Sequence, residues 1–184
     1  MFKVINGGKM PTKGSKYSAA VDLYASEDVV IGAGDTAVVG LGVCIDNDFI
    51  SKYIEILQDE KYNEIECYSD GNWIDFFKLS HYLELHPRSS LRAKGLISNT
   101  GIIDLDYKDE IKIIIHNSVK VLDSIQYENY ISIKKVSVDN DFVIKKGDKI
   151  AQILLKEHKS YLFDIETDKA RNGGFGSTDD EIQK

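Results

Sequence analysis

In Gly101-Ile102-Ile103-Asp104-Leu105-Asp106-Tyr107, two bulky aliphatics lie between a glycine and a carboxylate, with a tyrosine three residues beyond that carboxylate. The pattern predicts a hairpin tip that holds Asp104 beside an apolar wall, where it can orient and deprotonate a water molecule. Tyr107 can present its ring to a sugar or a base. A plainer reading stands beside this one, a hairpin in which Asp104 only caps the turn. In Pro87-Arg88-Ser89-Ser90-Leu91, a guanidinium and two hydroxyls stand at the start of a helical turn. Such a start can cradle phosphate, or it is simply a capped helix with a surface arginine. In Gly147-Asp148-Lys149-Ile150-Ala151-Gln152-Ile153, a turn enters a strand. Gln152 there needs polar partners, which a ligand phosphate, a water or neighbouring backbone would supply. Gly173-Gly174-Phe175-Gly176-Ser177-Thr178 combines glycines, which let amides approach an anion, with two hydroxyls and a ring that can stack on a base.

The elements that must position these groups read as short strands. Ala19–Ala25, Asp28–Ile31, Ala37–Ile45, Glu110–His116, Ser118–Leu122, Tyr130–Ile133, Asp141–Ile144 and Lys149–Leu155 are rich in Val, Ile, Leu and Tyr. Ile111, Ile113 and Ile115 alternate with Lys112 and Ile114, the period of a strand with one buried face. Turn sequences at 32–35 and 145–148 punctuate the pattern, as in an all-β sandwich or barrel. One short helix is expected at Ser89–Lys94, with Ser89 or Ser90 near its N-cap. Residues 46–63 carry helical spacing but also strand-forming composition. Gly173–Lys184 reads as an exposed tail.

A chain of 184 residues, 42% of them hydrophobic, suits one domain with a real core. Its net charge of −7 argues against nucleic-acid binding, which needs a broad basic surface. A nucleotide remains compatible if a few cations and a divalent ion neutralise its phosphates locally. Neither a membrane span nor a signal peptide is read, and the two cysteines lack metal-site or disulfide patterning, so a cytoplasmic or nuclear setting is expected. The four histidines are scattered and read as packing or surface residues.

Taken in order, Ala19-Ala20-Val21-Asp22-Leu23-Tyr24-Ala25, PRSSL, GIIDLDY, GDKIAQI and GGFGST resemble the five motifs of the homotrimeric dUTPase family, across residues 19–178. The resemblance implies a jelly-roll-like β-barrel or sandwich over 1–172, with the flexible C-terminal arm 173–184 carrying the last motif. It also implies a homotrimer whose active sites are each built from three chains. Asp22 would organise Mg2+ and the triphosphate through water, and Arg88, Ser89 and Ser90 would contact the phosphates. Gly101, Ile102 and Ile103 would belong to the hairpin whose backbone reads uracil's edge. Asp104 would bind the deoxyribose and activate the water that attacks dUTP, and Tyr107 would exclude a ribose. Gln152 would hold that water or a phosphate oxygen. Arg171, Phe175, Gly176, Ser177 and Thr178 would close over base and phosphates.

The chain also departs from that pattern. Ser90 and Asp179 replace usual glycines, Lys108-Asp109 replaces Arg-Gly, Arg171 is one residue nearer Phe175 than usual, and the lead-in containing Asn99 is short. Two segments, about 46–82 and 118–140, are longer than usual and read as surface excursions. Trp73, Phe76 and Phe77 make the first a candidate surface for a protein partner. The related dCTP deaminases share an Arg-Ser-Ser-Leu segment, but their catalytic glutamate would fall at Ile114, which cannot shuttle protons.

Overall fold

The structure is a computed structural model that describes residues 1–46, 80–119 and 140–163. It also describes residues 48 and 77–78, and the backbone of 125–127 and 130–132. Strands dominate. The first six are β1 (Phe2–Val4), β2 (Thr12–Lys13), β3 (Val21–Tyr24), β4 (Val29–Ile31), β5 (Thr36–Gly40) and β6 (Val43–Ile45). Then come β7 (His81–Pro87), a four-residue helix α1 (Ser89–Arg92), β8 (Leu96–Ile97), β9 (Gly101–Asp104) and β10 (Lys112–Asn117). The remaining strands are β11 (Ile125–Tyr127), β12 (Tyr130–Ser132), β13 (Phe142–Ile144) and β14 (Lys149–Glu157), followed by a 3-10 turn at Ser160–Phe163.

A five-stranded sheet in the order β2-β3-β14-β7-β9 is the largest unit, and a three-stranded sheet β5-β10-β8 is the next. Pairs β1-β6, β4-β13 and β11-β12 complete the described sheets. The inner face of the large sheet contributes Leu23, Leu83, Leu85, Ala151 and Ile153 to one core, and Val39, Ile113 and Ile115 enter it from the three-stranded sheet. Each fully buried leucine or isoleucine stabilises the fold by roughly 1.5–3 kcal/mol before entropy is counted. The result is the expected all-β jelly-roll-like architecture with one short helix.

The alternation in β10 is as the sequence predicts, with Ile111, Ile113 and Ile115 buried and Lys112 and Ile114 exposed. Elsewhere the structure corrects the sequence reading. Ala37–Ile45 is two strands, because Gly42 takes a left-handed φ of 62° and bends the chain between them. A Cβ on Gly42 would lie 2.3 Å from Gly8 Cα, so this bend needs glycine twice, for its φ and for its neighbour. Residues 118–119 lie outside any strand, with Ser118 Oγ donating to Gly95 O and Val119 N donating to Asn117 Oδ1. Residues 81–82 are not part of an excursion, since they begin β7. Phe77 packs against the core and stacks on His81 with centroids 4.3 Å apart, so it is not a free docking ring. Most of both long segments, Trp73 and Phe76 included, and the arm 173–184 lie outside the described residues. Among the described residues no helix is long and apolar enough to cross a membrane.

Candidate active site

One group of side chains sits at the C-terminal end of β7, and a second lies against β9 and β10. At the C-terminal end of β7, Pro87 closes the strand and Arg88 stays extended (φ −70°, ψ 144°), donating its backbone N–H to Ile150 O at 3.1 Å. Arg88, rather than Ser89 or Ser90, is therefore the N-cap of α1, and no side chain caps it. Both serines lie inside the turn and are exposed. Register puts Asp22 opposite Gln152, and Gln152 opposite His86. Thr100 Oγ1 and His86 Nδ1, 3.3 Å apart, extend that row toward β9.

Asp22 is only 7% exposed. Its Oδ1 accepts from Arg88 Nη1 and its Oδ2 from Lys149 Nζ at 3.0 Å. Burial pushes the Asp22 carboxyl up, but the hydrogen bonds and charges of Lys149 and Arg88 together outweigh it and hold the group below the usual carboxylate range. One carboxylate with both oxygens engaged is no cage for a bare ion, and no cluster of three or more His, Cys, Asp or Glu suited to a metal occurs among the described residues. It fits instead a hold through water on a divalent ion that phosphates themselves ligate.

The second group is a cleft of about 370 Å³ against β9 and β10, walled by Leu85, Ile102, Ile103, Tyr107 and Ile113 with Asn99 at its polar side. Tyr107 is buried, its N–H donates to Asp104 O at 3.1 Å, and its hydroxyl donates to Glu110 O at 3.3 Å. Glu110 is itself anchored: Oε1 accepts from Gly42 N–H at 2.7 Å and Oε2 from Asn6 Nδ2 at 2.9 Å. The tyrosine ring is thus fixed from two directions. Ile114, at the deaminase acid position, lines the same cleft with an aliphatic side chain.

The predicted hairpin is not formed as such. β9 pairs with β7, whereas β8 pairs with β10, so the segment leading into Asp104 crosses from one sheet to the other. Gly101–Asp104 is an edge strand ending in a tight turn, and exposed Asp104 stands opposite Tyr82. Tyr82 and Arg88 are six residues of extended chain apart, about 20 Å. Asp104 is therefore far from Arg88, Ser89 and Gln152 within one chain. The structure gathers Asp22, Arg88, Ser89 and Gln152 at one place, and Gly101, Ile102, Ile103 and Tyr107 at another. Arg171, Phe175, Gly176, Ser177 and Thr178 lie outside the described residues. Sequence reasoning missed Lys149, His86 and Thr100; the only hint for Lys149 was its place inside a motif already singled out.

Known proteins resemble the chain along nearly its whole length. The family model described as dUTPase matches residues 74–135, which include Arg88, Asp104 and the cleft. A deoxyuridine 5'-triphosphate nucleotidohydrolase of Debaryomyces hansenii is 29% identical, over 92% of this chain and 79% of that one. The enzyme of the same description from Paramecium bursaria Chlorella virus 1 is 26% identical, over 96% and 94%. Among solved structures, a mutant dUTPase from phage phi11 of S. aureus, described for its coordination of a structural Mg(II) ion, superposes with a TM-score of 0.55. It is 19% identical and covers 96% of this chain and 97% of that one, which bears on fold. The family-model match, the relatives along nearly the whole chain and the shared jelly roll all point the same way, and the chain is similar in sequence and fold to the dUTPase family.

Proposed function

We propose that the protein hydrolyses dUTP to dUMP and pyrophosphate at sites shared between chains of a homotrimer. The observation that carries this reading is the separation along β7. A nucleotide in the Tyr107 cleft needs its phosphates beside Asp104, yet the cation cluster that suits phosphates lies about 20 Å away in the same chain. Bringing Asp104 of one subunit to Arg88, Ser89 and Gln152 of another resolves the mismatch, and cyclic symmetry repeats the solution at each interface.

In this reading uracil enters the cleft along Gly101–Ile103, and the ring of Tyr107 leaves no room for a ribose 2′-hydroxyl. Asp104 holds the deoxyribose and takes a proton from the water that attacks the α-phosphorus in line. Gln152 fixes that water or an α-phosphate oxygen. Arg88 and Ser89 bind the charge that develops on the phosphates, with Ser90 beside them. Arg171, Phe175, Gly176, Ser177 and Thr178 cover the bound nucleotide. Asp22 would hold Mg2+ through water, and the ion when bound would neutralise charge on the triphosphate.

Pyrophosphate release from dUTP, dTTP, dCTP and UTP, with and without Mg2+, tests the proposal when repeated with Asp104→Asn. Strong dUTP preference and collapse of turnover in the variant, with binding kept, are expected. Normal dUTP hydrolysis by Asp104→Asn would refute the mechanism, and ammonia release from dCTP would move the chain to the deaminases.

A further inference from the structure

Lys149 has no role in the chemistry above, yet the fold takes trouble to aim it. In a regular strand Lys149 and Gln152, three residues apart, would point to opposite faces. The β14 register against β3 shifts between Lys149 and Ala151. Ile150 and Ala151 are consecutively buried, as a bulge requires. The extra residue turns Lys149 to the face that carries Asp22, opposite Tyr24, while Gln152 stays on that face opposite Asp22. Lys149 Nζ then reaches Asp22 Oδ2 at 3.0 Å and lies 5.9 Å from the centroid of the Tyr24 ring.

The two cations use different oxygens. Arg88 engages Oδ1 and Lys149 engages Oδ2. We propose that Lys149 is a positioning residue that keeps Asp22 anchored through Oδ2 while Arg88 leaves Oδ1 for the substrate's phosphates, freeing Oδ1 to face the water shell of the incoming magnesium–triphosphate. The proposal rests on the reading of Asp22 and Arg88 given above. It explains why a nearly buried carboxylate has two cations although one would satisfy its charge. Without Lys149, Arg88 would be the one remaining counter-ion of Asp22 among the described residues and would leave it only at greater cost.

The test uses the assembled enzyme as wild type, Lys149→Met, Lys149→Gln and Lys149→Arg, with melting curves to confirm folding. Binding of a non-hydrolysable imido analogue of dUTP is measured by calorimetry in Mg2+ and in chelator, beside kcat and KM for dUTP. In Mg2+ the Met and Gln variants are expected to bind the analogue about tenfold more weakly, the loss of roughly one charge-assisted hydrogen bond. In chelator the deficit shrinks, KM rises more than kcat falls, and Lys149→Arg restores both. An unchanged magnesium-dependent gain in Lys149→Met and Lys149→Gln overturns the proposal, as does an equal loss with and without the ion or no rescue by arginine. If wild type itself neither hydrolyses dUTP nor binds the analogue more tightly with Mg2+, the underlying reading has failed as well.

Discussion

Asp22 and Gln152 are direct register partners across β3 and β14. A charged group and a neutral amide thus share one row, so the pair carries one negative charge rather than two. Gln152→Glu would place like charges opposite each other, which destabilises a strand pair by up to about 1 kcal/mol. It would also repel a polyphosphate. We expect at least a tenfold rise in KM for dUTP with the melting temperature lowered by a few degrees at most. A KM equal to that of wild type would show that Gln152 is remote from the phosphates.

The distance between Asp104 and Arg88 within a chain predicts complementation. Asp104→Asn and Arg88→Ala enzymes should each be nearly inactive alone. After unfolding and refolding together in equal amounts, about a quarter of the sites should pair an intact Asp104 with an intact Arg88 from a neighbour. Recovery of activity toward that fraction is expected in a pyrophosphate-release assay. No recovery in demonstrably mixed oligomers would mean that each chain builds its own site.

Tyr107 combines a wall of the cleft with a hydroxyl bonded to Glu110 O. Tyr107→Phe keeps the ring and loses one hydrogen bond, so stability should fall by about 1 kcal/mol while discrimination against UTP survives. Tyr107→Ala should cost about 3–5 kcal/mol and raise the relative rate on UTP. The ratio of kcat/KM values for dUTP and UTP separates the two effects.

Glu84 lies on the outer face of β7, where hydrogen bonds from His86 and then Tyr82 hold its carboxyl below the usual glutamate range. A folded-state value below the unfolded one stabilises the protein above the ordinary glutamate value of about 4.3. That contribution disappears as pH falls through the depressed folded value. Melting temperature against pH should therefore drop less steeply below about pH 4.3 in Glu84→Gln than in wild type. Parallel acid limbs would show that other carboxylates dominate.

Gly42 and Gly8 approach so closely that a Cβ on Gly8 would lie 2.2 Å from Gly42 O. Gly42→Ala should cost well over about 1 kcal/mol, through both the left-handed φ and the clash. Because Gly42 N–H also anchors Glu110, the variant should loosen Tyr107 and raise KM before it unfolds. Hydrogen exchange at residues 107–111, compared with exchange in the rest of the core, reads this out.

Much of the fold was legible where alternation and glycine turns coincide, as in β10 and in the entry to β14. The strand β7 was not, although Leu83 and Leu85 alternate with Tyr82, Glu84 and His86. Its outer face is polar or titratable, and it follows the long segment read as a surface excursion to about residue 82, so local preference hid it. Asp22, Arg88, Asp104 and Tyr107 could be singled out from residue type and motif order, and the roles proposed for them rest on that order. The role of the bulge was not, because an extra residue in one strand leaves no trace without its partner's register. Nor could the sequence show that β8 and β9 part company between two sheets, since that depends on non-local pairing.

The spread of reactive groups along β7 has a consequence for how much enzyme a cell must hold. If no single chain owns a working site, specific activity depends on concentration, falling on dilution below the dissociation constant of the assembly. A damaged copy would then also spoil sites belonging to its intact neighbours, so partial loss of the protein would be felt more than proportionally.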